Sequence, residues 1–471
     1  MEGNLRPCEK AYRKVIMKEK TYSGIMLNTV GGLFWLIVAA FLGFVNQLQL
    51  TVLWPTSGSM IGYGYLRPLF TISLLFGAGL SFFLAVAYYA LKESGNAPKW
   101  NGLASFAFVG QMFAVGYGWA TVIVASNKGR EFGEMAFLSD VFIGFALLSY
   151  LIIAFVSIKG KINIGTSFSI AAAAAGLVAF LVGNFSLPYS FFGSSFITFG
   201  VQDAAVQEFY RGSVLGYFIL LPFFAALFTF APSYVKANVF SAPLASLQIL
   251  ATVILAPLAG LAGLAFIPGV DVLSSVGVAA GVAFFVTVLM GYINGRYTLL
   301  GAKKDAIVNL FSYGLTILIV VALLRMITSF PMIQESLAFT TSSMQDVSVD
   351  AITYLLLVFT AAAYLIARNT EGIEVSEGTM NISLWAAVAG SVLIIVGNLA
   401  GGVMQSSAIS KTTAEGAFAV TNWSVVLYGS ETGRLFTIKG LAFFGYLLLV
   451  VSVKMTAISI YSGLLGKSGK A

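Results

Sequence analysis

The side chains able to carry chemistry in this chain show one gap: among 471 residues there is no histidine. Histidine is the commonest metal ligand and the usual proton carrier near neutral pH. Ordinary imidazole ligation of haem or copper is therefore closed to it. The single cysteine, Cys8, can form neither an intrachain disulfide nor a thiolate cluster. The carboxylates are scattered, and no phosphate loop, nucleophile elbow or dinucleotide fingerprint stands in a plausible context. A few charges remain. Arg325 and Asp350 fall within or near two successive apolar stretches, and intramembrane charges default to a functional hypothesis. Two opposite charges on neighbouring helices can equally neutralise one another. Arg67 is expected to anchor at the membrane interface or to meet a carboxylate. Asp203 and Arg211 are expected to pair with each other at the surface. Asn294 and Arg296 read as a solvated helix end. None of these forms a catalytic constellation.

The elements that must position these residues follow from composition. Hydrophobic residues make up 58% and charged residues 10%, which excludes a soluble fold. Twelve apolar stretches approach the ~20 residues needed to cross a bilayer as helix. They begin near Met26, Pro68, Leu103, Val141, Ser167, Gly212, Leu244, Val272, Ala306, Ala351, Ile382 and Leu435. Lipid admits only helices or closed barrels, and runs this long exclude strands. The expected fold is an all-α integral membrane bundle. A basic segment over 1–25 precedes one membrane domain over 26–465 and a tail over 466–471. Arg6, Lys10, Arg13, Lys14, Lys18 and Lys20 share a side with Lys92, Lys99, Lys159, Lys161, Lys236, Arg296, Lys303, Lys304 and Arg368. The positive-inside rule then puts both termini in the cytoplasm. The net charge of +7 reads as topology and headgroup contact, not nucleic-acid binding.

Four segments carry a resemblance. Gly62-Tyr63-Gly64-Tyr65-Leu66-Arg67-Pro68-Leu69-Phe70-Thr71 resembles the GRLRPLHT motif of the catalytic subunit of cbb-type cytochrome c oxidases, in the haem–copper superfamily. Gly200-Val201-Gln202-Asp203-Ala204-Ala205-Val206-Gln207 is similar to GVQDAMVQ in that family. Tyr292-Ile293-Asn294-Gly295 with Thr298-Leu299-Leu300-Gly301 resembles MINGLMTLSG, and Gly402-Val403-Met404-Gln405 resembles GIMQ. The matches keep the family's order across nearly the whole chain. They imply a haem–copper-oxidase-like bundle in a prokaryotic plasma membrane.

The departures fall on the family's chemistry. Phe70 stands where the resemblance puts the low-spin haem histidine, and Gly212 where YGHN supplies a copper ligand. Ala262 and Gly263 align with the paired copper histidines that follow WAGP, and Ala256 with the cross-linked tyrosine. Gln345 and Val347 align with the two axial histidines of HVHSG, across a short deletion. Segments implicated in the family's proton path read Phe240-Ser241-Ala242-Pro243-Leu244-Ala245 and, at the FEGPM glutamate, Ser329. What the resemblance then implies is a haem- and copper-free pseudo-oxidase subunit. It would catalyse neither oxygen nor nitric oxide reduction, and would act as a scaffold in a larger respiratory complex. Its expected partners are membrane lipids and other subunits, including a cytochrome c-type subunit on the outer face. Two alternatives stand beside the scaffold: proton or ion translocation through a remodelled polar path, and lipid or quinone binding in the vacated haem pockets. Arg67 in the family lies near haem propionates; without haem it is expected to anchor at the interface or to meet a carboxylate. A haemochromogen assay on the isolated chain tests the metal-free expectation. The expected result is no stoichiometric haem, and haem absorbance that stays with the chain would refute it.

Overall fold

The computed structural model describes residues 7–51, 62–126, 128–185, 200–337, 340, 342, 347–410 and 433–468. Among them every regular element is helical. Twelve helices are long and apolar enough to cross a membrane. In chain order they are α1 (Gly24–Thr51), α2 (Tyr63–Glu93), α3 (Asn101–Ile123), α4 (Phe137–Ser157), α5 (Ile164–Asn184) and α6 (Gly200–Val235). There follow α7 (Ala242–Leu264), α8 (Asp271–Thr298), α9 (Ala306–Thr328), α10 (Val349–Glu371), α11 (Glu377–Ser407) and α12 (Gly440–Leu465). In a bilayer each helix closes its own backbone hydrogen bonds, so side chains decide how the helices associate. The protein is a multi-pass membrane protein.

Three helices lie inside. α2, α6 and α10 are covered almost all the way round and touch one another, while the other nine form a closed wall around them. The wall runs α1, α3, α4, α5, α7, α8, α9, α11, α12 and back to α1. Inner and outer helices have nearly the same hydropathy. Lipid is as apolar as leucine, so hydropathy alone cannot sort core from lipid-facing helices. Small residues do that at the contacts. Gly390 on α11 and Gly445 on α12 lie against each other's backbone. Two inner helices loosen into π turns, at Ser73–Gly79 in α2 and Val214–Leu220 in α6. Each π turn begins within a few residues of a position that matters below, Phe70 and Gly212.

One expected boundary moves. The sixth helix starts at Gly200, not near Gly212, because its first turns read Gly-Val-Gln-Asp-Ala-Ala-Val-Gln-Glu and are too polar to register as apolar. Asn294 is likewise not solvated: it is fully buried, and its side chain bonds both the N–H and the carbonyl of Ser241 at 2.9 Å. It ties the end of α8 to the start of α7.

A close backbone contact joins α6 to α7. A Cβ on Gly260 would run into the Glu208 carbonyl oxygen, and one on Gly212 into the Ala256 carbonyl and Gly260. Both obstacles are backbone, so they cannot rotate away. Gly260→Val is expected to cost at least the ~1–3 kcal/mol of overpacking. Gly116→Val, where a side chain meets nothing within 4 Å, should cost far less. Thermal unfolding of both variants in detergent checks the difference.

Candidate functional site

The positions singled out from the sequence gather at one end of the bundle, where the odd-numbered helices finish and the even-numbered ones begin. Gly212 on α6 faces α7 so closely that its side-chain space is filled by the backbone of Ala256 and Gly260. Ala256 is buried against Gly216. Ala262 and Gly263 form a tight turn, Leu261–Leu264, at the end of α7. The backbone at Ala262 receives Gly277 of α8, and the space in front of Gly263 is taken by the Glu208 carboxylate. At Gly212 the obstacle is the backbone of α7, whereas at Gly263 it is the end of a Glu208 side chain.

Beside this closed contact the interior stays open. A cavity of about 260 Å³ lies between α6, α7, α8, α9 and α10. Its apolar walls include Phe284, Phe285 and Val288 from α8 and Leu318 and Val321 from α9. Its polar rim holds Glu208, Arg211, Arg325 and Asp350. Arg325 Nε lies 2.7 Å from Asp350 Oδ2, so the two intramembrane charges do meet. Arg211 reaches Glu208 at 3.7 Å and Glu131 at 3.6 Å. Ser329 also lines the cavity, its hydroxyl returned to the Met326 carbonyl.

Asp203 and Arg211 do not pair with each other. Eight residues along a helix separate them by ~12 Å, beyond the reach of a carboxylate–guanidinium contact. Both turn instead to the loop that joins α3 to α4. Asp203 takes Arg130, and Arg211 takes Glu131, which also accepts from Arg67 at 3.0 Å. Lys128 of the same loop pairs with the buried Asp140 at the start of α4. Phe132 is fully buried at φ +62°, a conformation that bulky residues rarely adopt. Its carbonyl accepts from Tyr210 on α6 at 3.4 Å, and Asn184 on α5 donates to the same Tyr210 oxygen at 3.1 Å. The loop is a strap, held by contacts to α2, α4 and α6. Glu131 and Glu208 were invisible as site residues in the sequence. The one signal for Glu208 is its place one helical turn before Gly212.

Phe70 lies apart from the cavity. It is buried in α2 and meets Tyr446 of α12 edge-on, with ring centroids 6.3 Å apart. The Tyr446 ring is seated over Gly43 of α1, where any side chain would collide with it. Farther along, Phe82 of α2 stacks on Phe359 of α10 at 5.0 Å. This region is packed with aromatic rings. Gln345 lies outside the described residues, as does the side chain of Val347.

The comparisons with known proteins bear on this geometry. The family described as cytochrome C and quinol oxidase polypeptide I matches residues 24–435. The chain belongs to this family. It is 26% identical over 310 residues to cytochrome c oxidase subunit 1 of Rhodobacter capsulatus, covering 64% of this chain and 57% of that protein. It is 24% identical over 398 residues to a bacteroid cytochrome c oxidase subunit 1 homolog of Bradyrhizobium diazoefficiens, covering 81% and 72%. It is 24% identical over 388 residues to the cbb3-type cytochrome c oxidase subunit CcoN1 of Stutzerimonas stutzeri, covering 79% and 81%. The match thus spans little more than half of the Rhodobacter protein. The chain is a cbb-type subunit I-like protein of a prokaryotic plasma membrane.

The haem and copper that this family implies do not fit the residues present. The chain offers no imidazole, the Gly212 and Gly263 side-chain spaces are filled by protein atoms, and Phe70 presents a ring with no donor. Glu131 meanwhile gives Arg67 and Arg211 a carboxylate from the protein itself. The strap's ion pairs differ sharply in burial. Lys128 and Asp140 are 7% and 1% exposed, whereas Arg67 and Glu131 are 38% and 30% exposed. Lys128→Met should therefore cost ~3–5 kcal/mol by leaving a buried charge alone. Glu131→Gln should cost ~1 kcal/mol or less. Chemical denaturation of the two variants in micelles measures the gap.

Proposed function

We propose that this chain is a non-catalytic subunit, a pseudo-oxidase that acts as scaffold or anchor in a larger electron-transfer complex of the membrane. The observation that carries the reading is the α6–α7 contact. Backbone occupies the space of the Gly212 side chain, so the position aligned with a copper ligand is closed and not merely substituted. The same helices keep a built surface at that end, with the strap pinned by Arg67, Arg130, Arg211 and Lys128. Relaxed selection on chemistry alone gives no reason to hold a loop there with four ion-paired cations. A docking face for another subunit does. The Lys and Arg bias supports placing this end outside and both termini in the cytoplasm, so the face would meet a cytochrome c-type partner. Electrons would then pass through the partners and not through this chain.

A second reading, proton or ion translocation, draws on α7. Gln248 and Thr252 are fully buried, and their side chains have polar atoms with no protein partner. They stand one helical turn apart and lead to Ala256 at the cavity edge. Buried polar groups of this kind call for water. Purification from native membrane in mild detergent separates the two readings. The scaffold predicts that further polypeptides co-purify, with all haem absorbance leaving with them when they are stripped off. A chain that runs alone and dissipates a proton gradient in vesicles would establish the translocator instead.

A further inference from the structure

The position aligned with the family's low-spin haem ligand and the one aligned with a copper ligand have different surroundings. Around Phe70 the space is filled by rings, whereas next to Gly212 it survives as a cavity with a polar rim and an apolar body. We infer that this cavity is a binding site for a neutral, carbonyl-headed aromatic amphiphile of the quinone class, with Arg325 as the head-group donor.

The rim chemistry sets the head. Arg325 Nη2 is buried and makes no hydrogen bond, and Nε faces Asp350 without the alignment of one. Gln334, also on the cavity wall, has a buried Oε1 with no partner. A buried donor and a buried acceptor left unmade each carry a desolvation penalty, which an oxygen-bearing head would relieve. The charge balance chooses between kinds of oxygen. Arg325 is matched by Asp350 and Arg211 by Glu208 and Glu131. An ionised carboxylate or phosphate head would enter as an uncompensated charge in a low-dielectric site. A neutral carbonyl accepts the spare N–H at no such cost.

The body of the cavity sets the rest. Phe284, Phe285, Val288, Leu318 and Val321 give flat and aliphatic walls. A dry cavity of about 150 Å³ takes a benzene ring, so about 260 Å³ accommodates a substituted ring and the start of a tail. The tail has an exit. Gly281 lacks a side chain at the α8–α9 seam, and a Cβ there would meet only Ser329, at ordinary contact distance. That seam belongs to the lipid-facing wall. Binding here is independent of the scaffold reading, since it uses the cavity and not the strap.

Calorimetric titration of the purified chain in micelles tests the proposal. Decyl-ubiquinone and menadione serve as neutral carbonyl probes and palmitate as the ionised-head probe. Saturable quinone binding is expected, with palmitate at least tenfold weaker. The double variant Arg325→Met with Asp350→Leu removes the pair without stranding a charge, and should weaken quinone binding about tenfold. Ala322→Phe narrows the cavity from its apolar wall and should abolish binding even if the double variant fails to fold. Phe155→Ala, on the exposed face of α4 and away from the cavity, should bind as the parent does. No saturable quinone binding would overturn the proposal. So would palmitate binding as tightly as quinone, or binding that ignores both cavity variants.

Discussion

The approach of α6 to α7 through Gly212, Gly216 and Gly260 is the constraint on which the rest of the interior depends. In lipid there is no hydrophobic drive between helices, so backbone proximity and van der Waals contact hold them together. With Gly260 against the Glu208 carbonyl, no larger side chain fits on either face. This contact also sets the mouth of the cavity. It presents Glu208 in front of Gly263 and leaves α8, α9 and α10 to close the remaining space only in part.

A membrane bundle has to account for its interior volume, because interiors pack to near-crystalline density. This protein meets that demand in two ways. Near Phe70 it uses aromatic rings, which bury much area and interlock edge-on. Between α8 and α9 it retains space and lines it with a paired arginine and aspartate. An empty apolar void is costly, and an arginine with a buried unbonded N–H more so. The second region is thus energetically incomplete by itself in a way that the first is not.

Several charges at this end of the bundle are paired through a single loop. Glu131 neutralises two arginines on different inner helices, and its neighbours Arg130 and Lys128 neutralise carboxylates on α6 and α4. Within four residues the loop contributes two cations, Lys128 and Arg130, and one carboxylate, Glu131. It ties α2, α4 and α6 at one end by pairing each of these groups with an opposite charge. The left-handed Phe132 is the local cost of bringing these groups into line.

The twelve crossings, the helical class and the absence of imidazole follow from the sequence alone. Each depends on composition over a window or over the whole chain. Family membership was legible in four short motifs for the same reason, since order along the chain survives without coordinates. The start of α6 was not, because its first turns are polar; there Asp203 pairs with Arg130 of the strap. Nor was the burial of Asn294, whose partner Ser241 is 53 residues away. Asp203 and Arg211 looked like a pair because they are close in sequence, yet a helix keeps them apart and the strap supplies each with another partner. Which helices stand inside, whether the Gly212 side is closed and the Arg325 side open, and which carboxylate answers Arg67 were decided only by the tertiary structure. All three turn on which backbones approach within contact distance, and nearly uniform hydropathy carries no record of that.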